Sequence, residues 1–437
     1  MSDAGPSATA GLPDAIAQVV AKLDEMLAPH DRALQRSYPG EPASRQPVHT
    51  VYVPADRFRP DLAAEWGRAA RQALADNAPS PAEFGAAMGL PDDIAAAVRE
   101  RVVTKLSSEP VEDLRLDFED GYQPPAVSTT AGDDAAEDAD ARTAARNLAA
   151  AAAAGSAPPF TGIRCKSLEA ATRLRAIRTV SIFLAELLAH GPMPAGFALT
   201  VPKVTSADQV RAMVLLCESL EQALALPRGD LVFEIQAETP QLILGADGSA
   251  TIARCIHAGG ERLAGIHYGT YDYAAALGIA GQFQRLDHPA ADHARQVMQV
   301  AAAGTGVRLS DGSYNVRPAG SRADVIAAWR QHSHLVRRSL ERGFYQGWDL
   351  HPGQLVSRYA ATYGFFVAGA DGACDRLRSY TGSIGGTTLE EPATARALAW
   401  FLLRGIDCGA LSEAGIVDRC GLDRTGLREL RRARRRP

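Results

Sequence analysis

FALTVPKVTSADQVRAMVLLCESLEQALALPRGDLVFEIQAET, residues 197–239, is the stretch that decides the fold. It opens on FALTV, a short apolar run that suits a buried strand. Ser206-Ala207-Asp208-Gln209 follows as a capping-box pattern, in which serine and glutamine side chains satisfy free backbone N–H groups at a helix start. Apolar residues then recur with a period of about 3.6 as far as residue 226, which predicts a helix. LVFEIQAET (231–239) closes the stretch as another buried strand. Strand, helix, strand is one right-handed βαβ unit and implies a parallel sheet.

The same rhythm extends in both directions. HTVYVP (49–54), LRLDFED (114–120), TGIRCKS (161–167), LAGIHYG (263–269) and GFYQGWDLHP (343–352) read as strands, and RLSDGSYNVRP (308–318) as a weaker one. Residues 168–189 and 323–342 carry helical spacing. Seven or eight such units before residue 355 predict an α/β fold, a (β/α)8 TIM barrel with a C-terminal helical extension. The competing doubly wound sheet lacks its phosphate-binding fingerprint: no G-x-G-x-x-G follows the first strand, and no Walker motif occurs.

Composition narrows the function. The 437 residues are 46% apolar and 22% charged, a globular balance. Lys+Arg (46) against Asp+Glu (51) leaves a net charge of −5, which argues against a dedicated nucleic-acid binder. A chain this long builds a core without a disulfide or zinc staple. Its six cysteines are scattered with no C-x-x-C pair. The opening MSDAGPSATAGLPD has no secretory pattern, and no uncharged apolar run reaches about 18 residues. A cytoplasmic protein with no membrane partner is expected. Only four lysines (Lys22, Lys105, Lys166, Lys203) are available for Schiff-base chemistry.

Three regions are expected. Residues 1–46 hold a disordered tail and a helix over 14–36 that ends near Pro29; 47–370 form the catalytic barrel; 371–437 form a helical extension. Within the barrel, 126–159 reads as an inserted loop leading into a helix, with an acidic patch (Asp133, Asp134, Glu137, Asp138, Asp140) before an alanine run. In the extension, ATARALAWFLLRG carries an apolar stripe of Ala393, Ala397, Leu398, Trp400, Phe401 and Leu402, which must cover its own barrel or a neighbour's. The final DRCGLDRTGLRELRRARRRP has a faint helix-turn-helix look, set against a plain amphipathic helix with a basic end.

In a parallel barrel, chemistry sits where strands end. The strand ends offer Asp117, Glu119 and Asp120, then Arg164, Lys203, Gln236 and Glu238, then Gly269-Thr270-Tyr271-Asp272, and finally Asp349 and His351. Carboxylates suit a hard cation and arginine suits an anionic substrate. Each residue also has a structural alternative. Arg164 can pair with a barrel carboxylate such as Glu119, and Asp120 and Asp272 can cap the segments that follow them. Lys203 can sit in an ion pair or act as a nucleophile, and His351 can orient substrate or pack at the rim. Glu234 shares a strand face with Gln236 and Glu238 but lies deeper. His257, His267, His288 and His293 show no metal-ligand spacing.

These strand ends resemble the HpcH/HpaI aldolase and citrate lyase beta-subunit-like family, of the pyruvate/phosphoenolpyruvate TIM-barrel type. HTVYVPADR is similar to its first strand, LRLDFEDGY to its D-x-E-D strand end, and GIRCKS to its substrate-arginine strand. VPKVTSADQV resembles its fourth strand and helix, IQAETPQLIL its metal-glutamate strand, GIHYGTYDYAAALG its metal-aspartate loop, and GWDLHPGQL its eighth strand. The motifs keep the family's order over roughly residues 47–357, with the 126–159 stretch and the C-terminal extension as departures. The resemblance implies Mg2+ or Mn2+ held by Glu238 and Asp272, and a substrate carboxylate met by Arg164, Gln236, Gly269 and Thr270. It implies proton transfer through Asp120, with Asp117, Glu119, Lys203 and His351 in supporting positions. The implied enzyme is a lyase of aldol or Claisen type, acting on a 2-oxo acid or an acyl-CoA thioester through an enolate. The implied assembly is a homo-oligomer, a trimer or hexamer, with C-terminal helices reaching a neighbour's barrel mouth. A Schiff-base aldolase using Lys203, thioester hydrolysis, phosphoryl transfer and a non-catalytic binding or regulatory barrel are the alternatives.

Overall fold

The computed structural model describes residues 12–42, 44–122, 130–382 and 391–432. The first helix, α1 (Leu12–Ser37), precedes the barrel. Then come β1 (His49–Pro54), α2 (Leu62–Asn77), α3 (Pro81–Met88), α4 (Asp92–Ser108), β2 (Asp113–Asp117), α5 (Thr130–Ala153), β3 (Phe160–Arg164) and α6 (Arg173–His190). The middle of the chain gives β4 (Phe197–Val201), α7 (Ala207–Ala223), β5 (Val232–Ala237), α8 (Pro240–Ile243), α9 (Thr251–Gly259), β6 (Leu263–Tyr268) and α10 (Thr270–Ala276). The barrel ends with α11 (Pro289–Ala302), β7 (Arg308–Ser310), α12 (Arg322–Glu341), β8 (Gly347–Asp349) and α13 (Pro352–Gly382). Beyond it lie α14 (Pro392–Asp407), α15 (Glu413–Cys420) and α16 (Arg424–Arg432).

The strands are parallel in the order β7-β6-β5-β4-β3-β2-β1-β8, as expected of a (β/α)8 barrel. A narrow seam closes the ring. Asp311 N–H donates to Gln346 O (2.8 Å), and Ser313 pairs with Trp348 in a parallel bridge. The expected capping box is present: Ser206 accepts from Gln209 N–H at the start of α7. Gly162 allows β3 and β4 to meet, because a Cβ there would lie 1.8 Å from Ala198 O.

The barrel interior holds a layer of buried charge. Arg115 donates to both carboxylate oxygens of Glu234 (2.9 and 3.1 Å) and pairs with Asp113. Thr200 donates to Glu234 (2.7 Å) and Thr50 to Asp113 (2.8 Å). Trp348 Nε1 donates to His267 Nδ1 (3.0 Å), so the ring's proton sits on Nε2, 3.0 Å from Glu234. Glu234 is therefore scaffold, with Arg115 and His267 outweighing burial to hold its carboxyl well below the usual range.

Several expectations change. α1 runs through Pro29 rather than ending there. The described part of 126–159 is α5, the crossover helix from β2 to β3, and no separate inserted loop is seen in it. Its acidic residues face α6: Asp138 pairs with Arg175 (2.5 Å) and Arg178 (2.5 Å). Glu137 meets Lys166 (2.8 Å), and Asp140 accepts from Tyr122 (2.6 Å). The side chain of Asp133 lies outside the described residues. α13 continues unbroken past residue 370, so the barrel's last helix and the extension share one rod. The α14 stripe is covered by its own chain in part: Ala393 and Ala397 are exposed, Leu398, Trp400 and Phe401 are half-buried and Leu402 is buried. Ala399 and Leu402 are fully buried, and the Phe401 ring lies 5.5 and 5.0 Å from Phe365 and Phe366 of α13. Trp400 sits beside Gln46, Val48 and Tyr345, where β1 and β8 begin, so the stripe faces the end opposite the strand C-termini. No described helix is long and apolar enough to cross a membrane.

A buried network ties β1 and β8 to the outer helices. Asp349 accepts from Arg358 of α13 (3.0 Å) and lies 3.2 Å from His49 Nδ1 and 3.4 Å from His332 Nε2 of α12. Burial pushes His332 from 6.5 down to about 3. The folded state thus binds fewer protons than the unfolded chain between those values, so this contribution to stability is complete above pH 6.5 and is lost as pH falls. Urea unfolding at pH 7.5 and pH 5 should show wild type losing about 2 kcal/mol more than His332→Gln over that interval. Identical losses in the two proteins would exclude His332 as the source.

Candidate active site

At the C-terminal mouth of the barrel, four carboxylates surround one ammonium group. Lys203, just past β4, places Nζ 3.1 Å from Asp120 Oδ2, 3.1 Å from Asp272 Oδ1, 3.2 Å from Glu119 Oε1 and 3.8 Å from Glu238 Oε1. The backbone helps to aim it. Lys203 has φ 54°, a left-handed conformation rare outside glycine, and its N–H donates to Glu238 Oε1 (2.7 Å). Gly269 is required beside it, because a Cβ there would lie 2.4 Å from the Glu238 Cβ.

Arg164, at the end of β3, forms the floor. Its Nε and Nη2 donate to the two oxygens of Asp117, at 2.7 and 2.6 Å. Asp117 in turn accepts the N–H groups of Glu119 (3.0 Å) and Gly121 (2.9 Å), which fixes the turn after β2. The third nitrogen, Nη1, lies 3.3 Å from Glu119. The Gln236 amide bridges inward when its oxygen accepts from Arg164 Nη1 (3.2 Å) and its nitrogen donates to Glu238 Oε1 (3.3 Å). The Arg164 guanidinium lies over the Tyr52 ring (4.8 Å), which packs on Trp348 (4.6 Å).

The charges do not balance. Asp117, Glu119, Asp120, Glu238 and Asp272 face only Arg164 and Lys203. Burial and the nearby Asp272 push Glu238 up to about 7, against the pull of Lys203. Burial raises Glu119 as well. Asp120 is held low despite partial burial, by its hydrogen bond with Glu119 and by Lys203, so it stays ionised. The surrounding carboxylates outweigh burial at Lys203 and raise its pKa. A Schiff-base nucleophile needs the opposite shift.

This donor set fits a divalent cation in charge and in chemistry. All four groups are hard oxygen donors, and the cluster already gathers around a positive charge. Among the described residues no three or more His, Cys, Asp or Glu side chains are drawn together as a ready metal site. The carboxylates stand at ammonium distances, about 1 Å longer than Mg2+–oxygen bonds.

The expected residues divide as follows. Asp120, Glu119, Lys203, Glu238 and Asp272 come together around one point, and Asp117, Arg164 and Gln236 stand beneath them. The fork of Arg164 is committed to Asp117, and Nη1 already faces Glu119 and Gln236, so the two-pronged grip on a substrate that was expected is not available. Gly269 N–H donates to Ala237 O (3.0 Å) and is not free for an anion. Thr270 Oγ1 donates to Ser313 O (3.3 Å). His351 caps Gly353 N–H through Nδ1 (3.1 Å), outside the cluster, and burial and Arg317 lower its pKa. Asp349 belongs to the buried network with Arg358. Tyr52 and Trp348 were missed, although Tyr52 shares its strand face with Thr50 by simple alternation.

A parallel barrel with an acidic cation site and a buried arginine at its strand ends is the class that fold and site define. The chain belongs to the family described as Domain of unknown function (DUF6986), whose model matches residues 27–435. The match takes in the barrel and the C-terminal helices together. No curated protein matches the chain. Among solved structures, it is similar to Haloferax volcanii malate synthase with glyoxylate, at 14% identity and TM-score 0.47, covering 87% of this chain and 98% of that one. It is also similar to protein CitE from Mycobacterium tuberculosis in complex with magnesium, acetoacetate and coenzyme A, at 18% identity and TM-score 0.45, covering 84% and 99%.

Asp117 is the anchor of the arginine. Asp117→Ala should leave a buried guanidinium without its main partner and cost about 3–5 kcal/mol of stability in urea unfolding. A loss below about 1 kcal/mol would mean that Glu119 and Gln236 suffice to hold Arg164.

Proposed function

We propose that this protein is a divalent-metal-dependent carbon–carbon lyase or condensing enzyme of aldol or Claisen type, acting on a 2-oxo acid or an acyl-CoA thioester. The observation that carries this reading is the convergence of Glu119, Asp120, Glu238 and Asp272 on one cation position above Arg164. The order of strand-end motifs in the sequence supports it. Glu238 and Asp272 would hold Mg2+ or Mn2+, which when bound supplies stabilisation for the negative charge that bond cleavage leaves as an enolate. Arg164 Nη1, which faces Glu119 and Gln236, would orient the substrate carboxylate by exchanging Glu119 for it. Asp120, half-exposed and held ionised, takes or returns the proton at the reacting carbon or oxygen, directly or through water. Lys203 offsets part of the negative charge that the carboxylates bring together, and a bound cation would take over that role.

The metal assignment is tested by calorimetry with Mg2+. Wild type should bind, and Glu238→Ala and Asp272→Ala should each abolish the heat while keeping the far-UV circular dichroism spectrum. Cleavage of oxaloacetate or an acyl-CoA substrate, followed as pyruvate or thioester release, should stop with EDTA. Unchanged affinity in both variants would sink the metal site. A wild type that binds no Mg2+ would favour the non-catalytic barrel.

The proposed assembly is a homo-oligomer built through α1. Its Ile16, Val20, Leu23, Leu27 and Leu34 follow the alternating spacing of a helix-pairing seam and are 44–53% exposed. Removing residues 1–40 should reduce the mass seen by light scattering. An unchanged mass would rule out α1 as the interface.

A further inference from the structure

The C-terminal helices enclose a second cavity, of about 210 Å³, at the opposite end of the barrel from the carboxylates. It lies where β7 begins, between the end of α11 and α14, with Ala302, Ala303, Val307 and Leu309 as its apolar walls. Two arginines line it, and neither has a carboxylate partner among the described residues. Arg308 donates from Nη2 to Ser44 Oγ (2.7 Å) and lies over the Phe160 ring (5.7 Å). Arg404 is held against the faces of Tyr345 (3.7 Å) and Trp400 (4.5 Å), with its Nε and Nη1 shut off from solvent and bonded to nothing. Arg431 stacks on Trp400 (4.2 Å) and donates to the carbonyls of Glu41 (2.8 Å) and Pro42 (3.2 Å), pinning the rim. The one carboxylate on the wall is Glu41, an exposed residue that forms no ion pair with Arg308 or Arg404.

Such an arrangement is unfavourable when empty. A buried guanidinium without hydrogen bonds loses its hydration and gains nothing polar in return. Burial pushes Arg404 down to about 10 and lowers Arg308 too, and neighbouring arginines add to the effect at Arg404. Both nonetheless stay charged at neutral pH. An oxyanion entering the cavity would lie beside Arg308 and Arg404, and the Arg404 nitrogen within its reach is Nη2, the one not shut off from solvent. Gln46 and Gln299 also line the wall. The Gln46 amide nitrogen spends both protons, on Leu309 O (3.0 Å) and Gln346 Oε1 (3.1 Å), so its oxygen is what remains for a ligand, and an amide oxygen accepts only from a ligand that carries a proton. Gln299 spends one N–H on Arg342 O (2.5 Å) and keeps the other.

We propose that this cavity binds the hydrogen phosphate dianion, with Arg308 and Arg404 as its cationic ligands and the Gln46 amide oxygen accepting its single P–OH proton. Charge calls for a dianion, volume limits it to an ion of about this size, and the amide acceptor disfavours sulfate and dicarboxylates, which carry no such proton at neutral pH. The site exists because α14 closes over the base of the barrel, which gives the C-terminal helices a role separate from the mouth. It does not depend on the lyase reading.

Calorimetric titration of the full chain with inorganic phosphate tests it. Wild type should give a saturable isotherm, at least tenfold tighter than with sulfate or succinate. Arg308→Gln and Arg404→Gln should each weaken it tenfold or more. Arg164→Lys, at the other end, should leave it unchanged. Glu41→Gln, on an exposed side chain that endangers no core contact, should tighten it several-fold, and this arm stands even where an arginine variant does not fold. No saturable phosphate binding, full affinity in both arginine variants, equal binding of sulfate or succinate, loss in Arg164→Lys, or unchanged or weaker binding in Glu41→Gln would each overturn the assignment.

Discussion

The constraint on which the mouth depends is an excess of carboxylate over positive charge. Asp117, Glu119, Asp120, Glu238 and Asp272 converge from three strand ends, and only Arg164 and Lys203 oppose them. The unusual backbone features nearby serve that balance. Lys203 accepts a left-handed φ that delivers both its N–H and its ammonium to the cluster, and Gly269 gives up a side chain so that Glu238 fits. Folds hold such strain where surrounding structure over-determines it, and functional sites are where that occurs. Even so, Glu238 keeps a raised pKa, which is what a buried carboxyl does when its neighbours supply too little positive charge.

Much of the barrel was legible from local pattern. HTVYVP matches β1 residue for residue, and the Ser206–Gln209 capping box starts α7 where expected. Local pattern suffices there because each strand is buried on both faces and each helix start carries its own signal. The errors came from long-range pairing. The acidic residues of α5 read as a solvated loop because their partners, Arg175 and Arg178, lie some forty positions along the chain. The helix boundary near Pro29 failed because α1 accommodates that proline within its turns.

The site was legible as a list of strand-end residues and illegible as a set of bonds. Charge type and position gathered the right groups, but nothing in the spacing tells which carboxylate takes the arginine. The structure gives the fork of Arg164 to Asp117, two residues before the expected Glu119, because β2 and β3 pair Asp117 directly with Arg164. Register therefore decides the partner, and register is a property of two strands rather than one. The same limit hid the base of the barrel. Arg308 and Arg404 are about a hundred residues apart and meet only after α14 folds back beneath β1 and β8.

Glu234 and Glu238 show how one strand divides scaffold from chemistry. Both stand on β5 or its end, both are buried, and alternation puts both on the inner face. Glu234 accepts from Arg115 through both oxygens, from Thr200 and from the proton-bearing nitrogen of His267, and its carboxyl is held low. A carboxylate with its acceptor sites filled has no lone pair to offer a cation. Glu238, two pleats further on, receives a backbone N–H, an amide and a distant ammonium, and its pKa rises instead. The difference follows from depth. Inside the barrel, three strands each contribute a donor to Glu234, while at the rim the strands have ended and donors are scarce. The Arg115–Glu234 layer is thus scaffold, and the chemistry is left to the rim one pleat pair above it.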